Sequence, residues 1–171
     1  MDIADLRDSD RKTGAMTVRL QPAYDSALAA IIRSRLEEHG LDIPGTAYFD
    51  ESLDHLSAYY DRPGRMYYVL LKRGELIGGI GLSEFYGFPD CCEMQKLYLR
   101  KDETGKGFGY RMVRQIEDTA KELGYHRIYL ETHTKLQAAI RLYEKSGYML
   151  IERPEAVVHS TMNRFYLKEL Y

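Results

Sequence analysis

Three glycines at alternate positions, Gly105, Gly107 and Gly109, stand in the run Thr104-Gly105-Lys106-Gly107-Phe108-Gly109-Tyr110. The run lies between an apolar stretch ending near Leu99 and a helical pattern that continues to about Leu123. Residues without a Cβ let backbone amides approach a ligand that any side chain would hold off. Amides at the start of a helix lack intrahelical acceptors and sit at the positive end of the helix dipole, so the guest such a loop suits is a phosphate or pyrophosphate. Lys106 adds a full positive charge. A P-loop is excluded, because Gly-x-x-x-x-Gly-Lys-Ser/Thr is absent and with it the magnesium-binding hydroxyl. A dinucleotide fold is imitated better, since Glu131 stands near the end of the next strand. Its spacing fails, however: the glycines read Gly-x-Gly-x-Gly rather than Gly-x-Gly-x-x-Gly, and five residues separate Leu99 from Gly105.

Other residues could carry chemistry. The only cysteines are adjacent, Cys91-Cys92, too few for a zinc site and no disulfide framework. They read as small apolar residues of a buried strand, with a covalent acyl carrier as the competing idea. Glu131 and His133, two apart, would share a strand face if the strand runs that far. Two ligands do not make a metal site, so no metal is expected and a structural or solvent-facing role is favoured. His159 and the aromatics Tyr48, Tyr86 and Phe88 lie in loops where they could touch a substrate.

The elements that must position these groups follow from periodicity. Residues 1–15 read as a tag or disordered leader, with Gly14-Ala15-Met16 resembling a fusion scar, and 16–171 as one domain. A strand over Thr17 to Leu20 precedes a helix opened by Pro22, with Leu28, Ile31, Ile32 and Leu36 on one face and a stop at Gly40. Asp50 is placed to cap a short helix carrying Leu53, Leu56 and Tyr60. Met66 to Lys72 and Glu75 to Glu84 form a hairpin about Arg73-Gly74, with Gly78, Gly79 and Gly81 thinning its second strand. The strand Cys91 to Arg100 feeds the glycine loop and a helix to Leu123. Then come a strand over Arg127 to Thr132, a helix over Gln137 to Ser146, and strands over Tyr148 to Arg153 and Asn163 to Lys168. Strand, helix, strand implies a right-handed parallel crossover in an otherwise antiparallel, mixed α/β sheet. A formal charge of -2 argues against bulk binding to nucleic acid or an anionic membrane, and no apolar run approaches the roughly 18 residues of a membrane span. Cysteine usage suits a reducing cytoplasm.

Gln95 to Gly147 resembles the core of the GNAT N-acetyltransferase family. Its signature, Gln/Arg-x-x-Gly-x-Gly/Ala, is met by Gly107 and Gly109. Lys96-Leu97-Tyr98-Leu99 upstream and Ala139-Ile140-Arg141-Leu142-Tyr143-Glu144-Lys145-Ser146-Gly147-Tyr148 downstream are also similar to the family. Thr104 stands where Arg or Gln is usual, and Leu136 where many members carry Asn. The resemblance implies the acyl-CoA N-acyltransferase fold, a mostly antiparallel sheet of about six or seven strands with about four helices. It also implies acetyl transfer from acetyl-coenzyme A directly to an amine in a ternary complex. The pyrophosphate would sit on Thr104, Gly105, Lys106, Gly107, Phe108, Gly109 and Tyr110, and the pantetheine arm along Leu97, Tyr98 and Leu99 where the fourth and fifth strands splay. An amide near Leu97 would face the oxyanion. A primary amine is mostly protonated at neutral pH, its unperturbed pKa being about 10.4, so a base is needed, and Glu93 is the candidate. Tyr143 would be the acid that protonates the leaving thiolate. The acceptor is a small-molecule amine or a peptide or protein amine, and homodimers are common among look-alikes. A non-catalytic acetyl-coenzyme A sensor is the competing class.

Overall fold

A computed structural model describes residues 12–171. Its order is β1 (Ala15–Arg19), α1 (Asp25–Glu38), α2 (Leu56–Tyr60), β2 (Met66–Lys72), β3 (Glu75–Phe85), β4 (Cys91–Leu99), α3 (Phe108–Glu122), β5 (Arg127–Thr132), α4 (Gln137–Lys145), β6 (Met149–Ile151) and β7 (Arg164–Glu169). The seven strands form one sheet ordered β1-β2-β3-β4-β5-β7-β6. Every neighbouring pair is antiparallel except β4 and β5, which are joined through α3. This is the mixed sheet that the strand-helix-strand pattern implies.

Period-two alternation along β2 sends side chains to two cores. Tyr67, Val69 and Leu71 join Leu28, Ile32 and Leu36 of α1 and Leu53 and Leu56 beside it. On the other face Leu70, Ile80, Leu82 and Ile128 meet Met112, Val113, Ile116 and Ala120 of α3. Both cysteines are buried, and burial raises both thiols, Cys91 to about 12, which favours the protonated form at neutral pH.

Two expectations from the sequence need revision. β1 begins at Ala15, which is buried and pairs with Lys72, so the strand reaches back into the stretch set aside as a leader. Residues 1–11 of that stretch lie outside the described residues. Asp50 does not cap α2. Asp25 of α1 takes that place, accepting from the Ser57 amide (2.9 Å) and hydroxyl (2.5 Å), which leaves the Asp50 carboxylate free to turn elsewhere.

The feature that opens the sheet is a bulge in β4. Gly79 pairs with Tyr98 but Gly81 with Gln95, so β4 carries an extra residue there, and Lys96 has the left-handed φ of 50°. The Tyr67 hydroxyl donates to the Lys96 carbonyl at 2.7 Å, holding the bulge. A Cβ on Gly79 or Gly81 would collide with the Tyr67 ring, which accounts for the thinned strand. β4 and β5 pair only from Cys91/Arg127 to Glu93/Tyr129, although β5 runs on to Thr132 and β4 to Leu99. Beyond Glu93 the two strands part.

Candidate active site

A cleft of about 350 Å³ occupies this gap on the side of the glycine loop. Its walls are Leu97, Tyr98 and Leu99 of β4, Thr104, Gly105, Gly107, Gly109 and Tyr110 of the loop and first turn of α3, and Leu136, Ala138, Ala139 and Leu142 at α4. Gly105 (φ 74°) and Gly107 (φ 86°) need the left-handed conformation, while a Cβ on either would enter open space, so it is backbone conformation and not crowding that calls for glycine. The first amide of α3 with an intrahelical acceptor is that of Arg111, on the Gly107 carbonyl at 3.2 Å, so the preceding amides are left to face a guest. The chain therefore fits a long, mostly apolar thioester arm ending in a pyrophosphate.

A smaller cavity of about 60 Å³ lies beside Glu93, lined also by Ala47, Gln95, Lys96, Tyr98, Glu131, His159 and Met162. Tyr98 walls both spaces. Burial, and after it the charge of Glu131, pushes the Glu93 carboxyl up to about 7, while the Gln95 amide (3.2 Å), His159 and Lys96 oppose the rise. The Tyr60 hydroxyl donates to the Gln95 carbonyl oxygen at 2.7 Å and so fixes the amide that faces Glu93. His159 bridges Asp50 (Nε2–Oδ1, 2.8 Å) and Glu131 (Nδ1–Oε1, 3.1 Å). Burial opposes its charge, but these two carboxylates prevail and hold the imidazole at about 9, doubly protonated at neutral pH. Asp50 also pairs with the Lys96 ammonium at 2.8 Å.

The remaining residues expected at the site divide. The Tyr143 ring lies in the core, 6.1 Å from that of Tyr148 and 6.4 Å from that of Tyr166, and its hydroxyl makes no hydrogen bond among the described residues. Burial raises this phenol well above 10, so it holds its proton throughout the physiological range. Phe108 is buried in the core beneath the loop and is not a wall of the cleft. Lys106 is drawn to Glu103 at 3.1 Å, a nearly buried carboxylate that Lys72 also holds at 2.9 Å, and is not a cleft wall. His133 lies past the end of β5, where its Nδ1 accepts from the Lys135 amide. It shares no site with Glu131. The sequence reading missed Arg35 and His39 at the end of α1, which line the large cleft, and the pairing of Lys96 with Asp50. Neither has a local signal, because only the tertiary fold brings α1 and its following loop against β4.

The chain matches the sequence profile of the Acetyltransferase (GNAT) family over residues 29–148. Among curated proteins it is 37% identical to the uncharacterized N-acetyltransferase YjgM of Escherichia coli over 136 residues, 78% of this chain and 81% of that one. Among solved structures it is similar to a GNAT-family acetyltransferase from Staphylococcus aureus, with a TM-score of 0.81 at 21% identity over 92% of this chain and 99% of the other. It is also similar to a Salmonella typhimurium acetyltransferase solved with acetyl-CoA, with a TM-score of 0.73 at 21% identity over 92% and 95%.

Proposed function

The chain belongs to the acetyltransferase (GNAT) family and is an N-acetyltransferase with acetyl-coenzyme A as co-substrate, and we propose that Glu93 takes the proton from its amine acceptor in the small cavity. The observation that carries this reading is the position of Glu93. It is the last β4 residue paired with β5, it lines the cavity, and of the two carboxylates there, Glu93 and Glu131, it alone forms no ion pair among the described residues. A carboxyl poised at about 7 is a general base half-charged at neutral pH, a fair compromise between availability and proton affinity.

The donor supplies an acetyl thioester activated toward nucleophiles. The chain's own part is to hold that thioester along Leu97 to Leu99 with its pyrophosphate on the amides of Gly105 through Tyr110. An amide of the β4 edge near Leu97, freed by the splay, faces the developing oxyanion. Glu93 receives the amine's proton, and Tyr143 gives its own to the departing thiolate. Tyr98 is a second reading for that last role, favoured by its presence in the walls of both spaces. Tyr143→Phe is expected to lower kcat by about 10- to 100-fold with KM for acetyl-coenzyme A nearly unchanged. A full rate in Tyr143→Phe with a loss in Tyr98→Phe would move the role to Tyr98.

For the acceptor we read an unhindered primary amine that arrives as a cation. The support is charge and size: around about 60 Å³ both lining cations, Lys96 and His159, are already paired, with Asp50 behind the wall and Glu131 within it, and Glu93 is the carboxylate left unpaired. A carboxylate next to the amine would find no free cation there. The test is thiol release from acetyl-coenzyme A with n-butylamine, 1,4-diaminobutane, Nα-acetyllysine and glycine. The first three are expected to release thiol and glycine is not. Donor binding without acceptor-dependent release from any amine would favour a sensor.

A further inference from the structure

We infer that Lys96, Asp50, His159 and Glu131 form a ladder of alternating charge that closes the gap between the parted strands, in which His159 and Glu131 are positioning residues acting with opposite sign on Glu93. The inference rests on the reading of Glu93 as the base. Backbone pairing between β4 and β5 stops at Glu93/Tyr129, yet the ladder carries the connection onward. It runs from the β4 bulge (Lys96) to the loop after α1 (Asp50), on to the loop between β6 and β7 (His159), and back to β5 (Glu131), with steps of 2.8, 2.8 and 3.1 Å. Both oxygens of each carboxylate are engaged, Glu131 Oε2 accepting from the Tyr129 hydroxyl at 3.0 Å. The rungs are sheltered, with side-chain exposures of 8% for Lys96 and 7% for Glu131, so solvent screens them weakly.

The ladder is not what attaches the two loops. The Thr161 hydroxyl donates to the Pro44 carbonyl at 2.6 Å and the Thr161 amide to Gly45 at 3.1 Å, and Gly45, at φ 80°, has no room for a Cβ against Ser160 and Thr161. With the loops joined independently, the buried charges are free to serve electrostatics. The titratable groups within electrostatic reach of Glu93 are Cys91, Cys92 and Lys96 from β4, Tyr129 and Glu131 from β5, Tyr60 from α2 and His159 from the β6–β7 loop. Among them Glu131 raises the Glu93 carboxyl and His159 lowers it. These opposite effects separate positioning from mere scaffolding, because loosening the same ladder at either residue would act in one direction.

The experiment is the pH profile of kcat/KM for n-butylamine in the wild type, His159→Gln, Glu131→Gln and Glu93→Gln. Both ladder variants keep side-chain hydrogen-bonding capacity and lose one charge. The acidic limb is expected to move up by about half a pH unit or more in His159→Gln and down by a similar amount in Glu131→Gln, with KM for acetyl-coenzyme A within about two-fold of wild type. Shifts of the same sign, or none, overturn the ladder. Glu93→Gln is expected to erase the limb. A limb that persists there overturns the assignment of the base, and the ladder's role falls with it. Thermal unfolding of each variant at pH 6 checks that lost activity is not lost fold.

Discussion

Burial, and after it the charge of Glu131, raises the Glu93 carboxyl to about 7, and those surroundings come from side chains distant in sequence. Glu93→Gln is expected to lower kcat/KM for the acceptor by about 100-fold at pH 7, the common size of a general-base contribution, and to leave donor binding in place. Equal activity would remove Glu93 from the mechanism. Glu93 and Tyr143 were legible as candidates only through resemblance, since a glutamate on a strand and a tyrosine on an amphipathic helix have ordinary structural explanations. Lys96, Asp50 and His159 could not be assembled from sequence, as 46 residues separate Lys96 from Asp50 and 109 separate Asp50 from His159, and no local pattern links them. Lys106, read from sequence as a charge for a phosphate, pairs with Glu103 three residues before it, a partner that the sequence alone did not single out.

At the scale of elements, the glycine loop and the β4 bulge do the positioning. Gly107 sits at φ 86° immediately before α3, where an L side chain costs about 1–2 kcal/mol. Gly107→Ala is therefore expected to weaken donor binding by roughly 10-fold, measured by calorimetry with coenzyme A, since the strain must be relieved by moving the amides proposed to hold the pyrophosphate. Unchanged affinity would show that the loop does not hold it. Gly109→Ala is a milder case, its Cβ reaching 3.1 Å from Leu142 Cδ2, and is expected to narrow the cleft without a backbone penalty. Helices and strands were read well because hydrophobic periodicity determines them locally. Examples are the α1 face of Leu28, Ile32 and Leu36 and the hairpin turned by Arg73 (φ 52°) and Gly74 (φ 81°). The bulge was hidden, because it depends on the Tyr67 hydroxyl reaching across β3, and in sequence only the glycines that make room for the ring could be seen.

At the scale of the whole molecule, the same groups that serve the site couple folding to pH. Glu93 and His159 both titrate higher in the folded chain than in the unfolded one, about 7 against 4.5 and about 9 against 6.5. The folded state then holds more protons, so the stability they contribute is complete below the unfolded values and is lost as pH rises, across about 4.5–7 for Glu93 and 6.5–9 for His159. Glu84 works in the other direction. Hydrogen-bonded by Arg65 at 2.5 and 2.9 Å, it is held at about 2, and its contribution disappears as pH falls from 4.5 toward that value. The melting temperature is expected to fall from pH 5 to pH 9, less steeply between 5 and 7 in Glu93→Gln and between 7 and 9 in His159→Gln. A flat wild-type curve would contradict the protonation states assigned to both. The most direct test of the central claim is acceptor-dependent thiol release from acetyl-coenzyme A across pH 5–9 in the wild type and Glu93→Gln. The wild type should gain activity through a limb near pH 7 that is absent from the variant. The same limb in both proteins would contradict Glu93 as the group that takes the amine's proton.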